Sequence, residues 1–228
     1  MTTTYYPRVV RGPRILPYLA GATAIVGAIA LFMALVWAPA DAVQGDVQRI
    51  MYVHVPAARL AYLAFVVVFL ASVAWLWGRS PVADAVAVAS AEIGVLFTAL
   101  AIVLGSIWAK PTWGVWWTWE PRLITTAVML AMYVGYLLLR SLSSDFERRA
   151  TRAAVVGAIA VLNVPVVHLS VTWMNALHQL PSVLRPGPPA LDGRMYATLL
   201  VAVAAFTLLY AYLLVARVGL ERARRSAP

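Results

Sequence analysis

The stretch 86–107, VAVASAEIGVLFTALAIVLGSI, decides the fold. As a helix rising 1.5 Å per residue it is long enough to cross a bilayer core of about 30 Å. Its one formal charge is Glu92. It lacks the strict polar–apolar alternation of a barrel strand. Backbone amides and carbonyls cannot stay unpaired in lipid, so a long apolar run of this kind must be a helix. Five further runs read the same way: 15–37, 60–77, 123–139, 153–171 and 195–215. The expected fold is therefore all-α, a polytopic membrane protein with six transmembrane helices. No internal repeat or linker divides it, so 1–228 reads as a single membrane domain.

Composition points the same way. Of 228 residues, 63% are apolar, 12% are charged and none is cysteine. A soluble domain is about 45–50% apolar and about 25% charged. A soluble enzyme, a disordered tail and a disulfide-stapled secreted module are thereby excluded. Without cysteine there is no C-x-x-C-H for covalent haem attachment and no thiolate zinc site. Lys and Arg number 18 against 9 Asp and Glu, but on so apolar a chain this excess does not indicate a nucleic-acid binder.

The cations give an orientation instead. Arg8, Arg11, Arg14, Arg79, Arg140, Arg148, Arg149, Arg152, Arg217, Arg222, Arg224 and Arg225 fall at the termini and the even-numbered loops. Arg49, Arg59, Lys110, Arg122, Arg185 and Arg194 fall on the other side. By the positive-inside rule both termini are expected in the cytoplasm. The first run could be mistaken for a signal peptide, since Ala38-Pro39-Ala40 looks like a cleavage site. A signal core is typically about 7–15 residues, and this run is longer, so a retained helix is expected.

The outer side collects the unusual chemistry. Five of the nine Trp lie in Trp108–Trp119, within a loop expected at 108–122 that also carries Lys110, Glu120 and Arg122. An interfacial belt explains one or two Trp per helix end. Five together read as an amphipathic platform whose flat rings stack on a planar ligand or pack on a partner. All three His are on the same side, His54 before the second span, His168 near the end of the fifth, and His178 in the loop 172–194. Neutral imidazoles beside an apolar aromatic floor suit a haem, with Lys110, Arg122, Arg59 or Arg49 to pair with its propionates. Zinc is disfavoured because no H-x-x-x-H spacing exists.

The run Trp113-Gly114-Val115-Trp116-Trp117-Thr118-Trp119-Glu120 resembles the tryptophan-rich signature of the haem-handling membrane proteins of cytochrome c assembly. With Tyr52-Val53-His54-Val55-Pro56-Ala57-Ala58, Lys110-Pro111-Thr112-Trp113-Gly114, Pro165-Val166-Val167-His168 and Leu177-His178-Gln179, the chain looks like the haem exporter C branch, CcmC, over nearly its whole length. The resemblance implies non-covalent haem b held at the periplasmic face of the bacterial inner membrane. It implies His54 and His168 as axial ligands, with Trp113, Trp116, Trp117, Trp119, Glu120, Lys110 and Arg122 around them. The implied partners are the membrane-anchored haem chaperone CcmE, the ABC-type subunits CcmA and CcmB, and the one-span helper CcmD. The family run usually ends in Asp, so Glu120 is one methylene longer, and what it pairs with is left open.

No enzyme activity is expected, only binding and presentation. Two other readings stay open: a transporter moving a solute through its own core, and a structural subunit docking others through its Trp loop. The first would use Glu92, because an intramembrane acid is a functional candidate by default. The alternative for Glu92 is a snorkelling side chain or one paired with a neighbouring subunit.

Overall fold

The computed structural model describes residues 13–173, 178 and 191–226. Seven α-helices form among these residues: α1 Leu16–Phe32, α2 Met51–Gly78, α3 Pro81–Trp113, α4 Pro121–Ser141, α5 Phe146–Ala160, α6 Asn163–Trp173 and α7 Gly193–Ser226. A π-helical turn, Met33–Trp37, extends α1, and a 3-10 turn, Asp46–Ile50, leads into α2. Counting α5 with α6, six helical segments are long and apolar enough to cross a membrane. The proline-rich part of loop 172–194, with Pro181, Arg185, Pro186, Pro188 and Pro189, lies outside the described residues, as do Arg8 and Arg11.

Helix ends are set locally. Ser80 caps α3, its Oγ accepting from the Ala83 amide at 3.4 Å, and Pro81 occupies the first turn, where a missing N–H costs nothing. Asp145 caps α5 by accepting from the Arg148 amide at 2.7 Å. Gly114, at φ 80°, ends α3 in the left-handed conformation that glycine adopts without strain, and its amide donates to the Lys110 carbonyl.

The helices outrun the apolar runs that announce them. α2 begins at Met51, so His54 sits inside a helix rather than before one. α3 continues to Trp113, so half of the Trp-rich stretch is the end of a membrane helix and only Gly114–Glu120 is a connection. Hydropathy registers the greasy middle of a span, whereas the helix propagates for as long as each amide finds its carbonyl. The fifth span, expected as one helix, breaks at Val161–Leu162. Pro165 is the cause, since it has no N–H and its ring collides with the carbonyl four residues back, that of Val161. Asn163 refastens the chain by donating from Nδ2 to the Thr125 carbonyl at 2.9 Å.

The centre of the bundle is small-residue packing around a few rings. α2 lies closely along α3, α1 along α7, and α5 against α2 and α4, whereas α6 leans mainly on α4. Phe65 stacks on Tyr133 with centroids 3.5 Å apart. Gly94 permits this, because a Cβ there would stand 2.4 Å from Phe65 Cε1.

One end of the bundle is tied by charges. Asp84 is buried on α3 and receives both Arg140 Nη atoms from α4, at 2.7 and 2.8 Å. Arg225 of α7 adds a bond to the same carboxylate at 2.7 Å. Glu221 links Arg225 to Arg217, and Arg217 reaches Glu92 at 2.6 Å. Glu92 is therefore paired within its own chain, by a cation on α7. It needs no neighbouring subunit, and the network joins it to two buried charges, Asp84 and Arg140.

Candidate functional site

At the opposite end the helices part around a cavity of about 370 Å³. α2 contributes His54, Arg59 and Tyr62, α3 contributes Gly105, Trp108 and Trp113, and α4 contributes Arg122 and Met129. Trp117, His168, His178, Gln44 and Leu199 of α7 also line it. All three histidines of the chain thus face one space, although they come from α2, α6 and the segment after α6. Such a space is within the size range of small-ligand sites, and its lining is mainly apolar.

Each histidine is held differently. The His54 ring lies over Gly105, where a Cβ would come within 3.0 Å of Cε1, and meets Trp108 edge-on at 5.8 Å. Its Nδ1 is buried without a hydrogen-bond partner among the described residues. Trp108 is itself fixed by donating from Nε1 to Gln44 Oε1 at 2.8 Å. His178 is anchored by Glu120: its amide donates to Oε2 at 3.2 Å, and its Nδ1 contacts Oε1. Trp113 meets the His178 ring edge-on at 5.0 Å. Partial burial draws the His178 pKa below its usual value, and Arg122 does the same against the opposing Glu120 carboxylate. With Nδ1 engaged by a carboxylate, Nε2 is the free nitrogen, which is how metal-binding histidines are commonly oriented. His168 is half-buried on α6, within the electrostatic reach of Arg122 and Arg59.

The remaining sequence candidates divide. Trp113, Trp117 and Arg122 line the cavity. Trp117 keeps a buried Nε1 with no described partner. Trp116 and Trp119 do not line it; they are 57% and 82% exposed. Glu120 is buried and acts through His178. Lys110 is exposed and turned back on the Gly114 carbonyl at 2.9 Å. Arg49, a candidate for pairing with propionates, caps the π-helical turn through the carbonyls of Ala34 and Ala38 and pairs with Asp46 at 2.8 Å.

Sequence reading missed Gly105 and Tyr62 as site residues, and placed Trp108 only within the aromatic platform. Gly105 and Trp108 share a face of α3 with Ala101 and Thr112, and that face is visible only once the helix is known to run to Trp113. Nothing in the sequence joins Glu120 to His178, 58 positions away.

Comparison with known proteins gives a consistent result. The family profile of heme exporter protein C, CcmC, matches residues 6–228. Heme exporter protein C of Bradyrhizobium diazoefficiens is 42% identical over 212 residues, covering 93% of this chain and 80% of the relative. Heme exporter protein C of Escherichia coli K12 is 35% identical over 202 residues, 89% of this chain and 81% of the relative. A putative cytochrome c biosynthesis ccmC-like mitochondrial protein of Marchantia polymorpha is 35% identical over 160 residues, 70% of this chain and 68% of its own. The chain belongs to the heme exporter protein C (CcmC) family.

Proposed function

We propose that this protein holds haem in the cavity at the aromatic end of the bundle and presents it to a partner, as one subunit of a haem-export assembly serving cytochrome c biogenesis. The family membership supports the role in haem export. The observation that carries the reading is the convergence of His54 and His178 on one apolar, Trp-lined space, with Glu120 behind His178. In this reading His54 and His178 are the axial ligands of non-covalently bound haem b. His178 takes the position that the resemblance suggested for His168, because it lines the cavity with His54 and has a carboxylate, Glu120, to orient it. Arg122 and Trp117 are donors for the propionates.

The exposed rings of Trp116 and Trp119 form the docking surface for the membrane-anchored chaperone CcmE. CcmA, CcmB and CcmD are the other subunits of the assembly. The cation distribution supports a cytoplasmic charged end and a periplasmic aromatic end in the bacterial inner membrane. No bond is made or broken by this chain. A transporter working through Glu92 is not favoured, because Arg217 neutralises that carboxylate.

The test is haem content and optical spectrum of the purified full chain. Wild type is expected to show a low-spin Soret spectrum. His54→Ala and His178→Ala should each lose most of the haem or turn it high-spin, while His168→Ala keeps the low-spin form. Wild-type spectra in both of the first two variants would sink the ligand assignment.

A further inference from the structure

The cavity contains one imidazole more than an iron can use axially, and the surplus one is at its edge. Two axial positions are filled by His54 and His178 in the reading above, on which this inference rests. His168 is left, half-buried on α6 and lining the same cavity as Arg59 of α2. Arg59 is exposed although it lines the same cavity, so it stands at the cavity's mouth. It directly precedes the apolar run 60–77, at the aromatic end of that span.

The mouth has a structural origin. α5 packs on both α2 and α4, but after the break at Val161–Leu162 its continuation α6 leans mainly on α4. Among the described residues, α6 therefore packs on α4 and not closely on α2, and both α2 and α6 border the cavity through Arg59 and His168. On α2 the face leading away from the mouth runs Arg59, Tyr62, Leu63 and Val66, one helical stripe, with Leu63 38% and Val66 39% exposed. On α6, Pro165 and Val166, just before His168, are exposed. An apolar stripe ending in one cation and one imidazole matches haem, which has an apolar macrocycle, carboxylate tails and a metal.

We propose that haem reaches the cavity sideways from the bilayer, between α2 and α6, and that Arg59 and His168 form a way station at this mouth. Arg59 takes a propionate carboxylate and His168 takes the iron on one face. The haem then moves inward, and His54 and His178 replace His168. The broken fifth span is what makes the passage, since an unbroken helix would stay against α2.

The experiment uses the full chain in lipid vesicles mixed with donor vesicles carrying haem. Uptake is followed by quenching of tryptophan fluorescence, and the final state by the Soret spectrum. Arg59→Gln should fill about tenfold more slowly, as when a charge that captures ligand is removed, and His168→Ala should also fill more slowly, having lost the iron contact at the mouth. Arg59→Lys should recover most of the rate. Both slow variants should end with the wild-type low-spin spectrum. Helical circular dichroism and melting like wild type identify variants that have folded, and Arg59→Lys covers the case where Arg59→Gln does not. Uptake at the wild-type rate in both Arg59→Gln and His168→Ala would overturn the way station. So would loss of the low-spin spectrum in His168→Ala, which would make His168 a ligand of the held haem. Failure of the haem-site reading looks different: His54→Ala and His178→Ala would keep the wild-type spectrum. The quenching rate depends on arrival and not on which imidazoles ligate, so it would still judge the mouth.

Discussion

The charged end of the bundle holds its polar groups in one shared network, whereas the aromatic end has separate pairs, Asp46–Arg49 and Glu120–His178, beside groups left unpaired. At the charged end three carboxylates, Asp84, Glu92 and Glu221, meet three guanidiniums, Arg140, Arg217 and Arg225, and the six form one connected network across α3, α4 and α7. At the aromatic end His54 Nδ1 and Trp117 Nε1 are buried without described partners, and Arg59 and Arg122 pair with no carboxylate among the described residues. Burying an unpaired polar group costs free energy, so the second end is less stable than it could be. A closed network fixes helices, while an unsatisfied cavity wall retains donors and acceptors for a ligand. The difference locates stability at one end and binding at the other.

The largest effect expected from breaking this division is at the charged end. Asp84→Ala leaves Arg140, 8% exposed, without its bidentate partner. Losing one member of a buried pair typically costs about 3–5 kcal/mol. Denaturant titration in detergent should register that loss, while the folded fraction keeps its haem spectrum. If the haem spectrum collapsed with little change in stability, the two ends would not be separable.

Next comes Glu120→Gln at the aromatic end. Removing the carboxylate behind a ligating histidine typically weakens binding about 10–100-fold. Haem titration should show this weakening with near-wild-type melting. Glu120→Asp tests the extra methylene, and is expected to lie between the two. Gly105→Ala sharpens the same point sterically, because its Cβ would press the His54 ring from 3.0 Å. A shifted Soret band with unchanged helix content is the expected outcome, at a cost of about 1–3 kcal/mol if the ring cannot yield.

A smaller effect is expected from acid. The folded His178 pKa is lowered, chiefly by burial, so its contribution to stability is fully present above the unfolded value of about 6.5. It is lost as pH falls through the folded value, where the buried ring must charge. Melting of the haem-free protein should therefore decline on acidification below that point, and His178→Gln should flatten the decline. The smallest effect belongs to Trp119→Ala, a ring 82% exposed. Melting and haem content should be unchanged, while co-purification of the chaperone partner falls. A large loss of haem would move Trp119 from the docking surface into the site.

Much of the fold is legible because membrane helices announce themselves one at a time. The run 86–107 needs no partner to be read as a span, and the clusters at Trp113–Glu120 and around His54 are local enough to identify the family. Helix boundaries were less legible. Pro165 broke the fifth span through a clash that any reading of hydropathy alone passes over. Pro111, by contrast, is tolerated in the last turn of α3.

By itself the sequence determined six apolar segments, the absence of thiols, the uneven distribution of cations and the aromatic cluster, since each is a property of a residue or its near neighbours. Only the tertiary structure decided that Glu92 is paired with Arg217, that Glu120 stands behind His178, and that His168 and Arg59 line one cavity. Those relations join positions far apart in the chain. They depend on how helices cross and where α6 leaves α2, which is fixed by side-chain packing and not by any local preference of the chain.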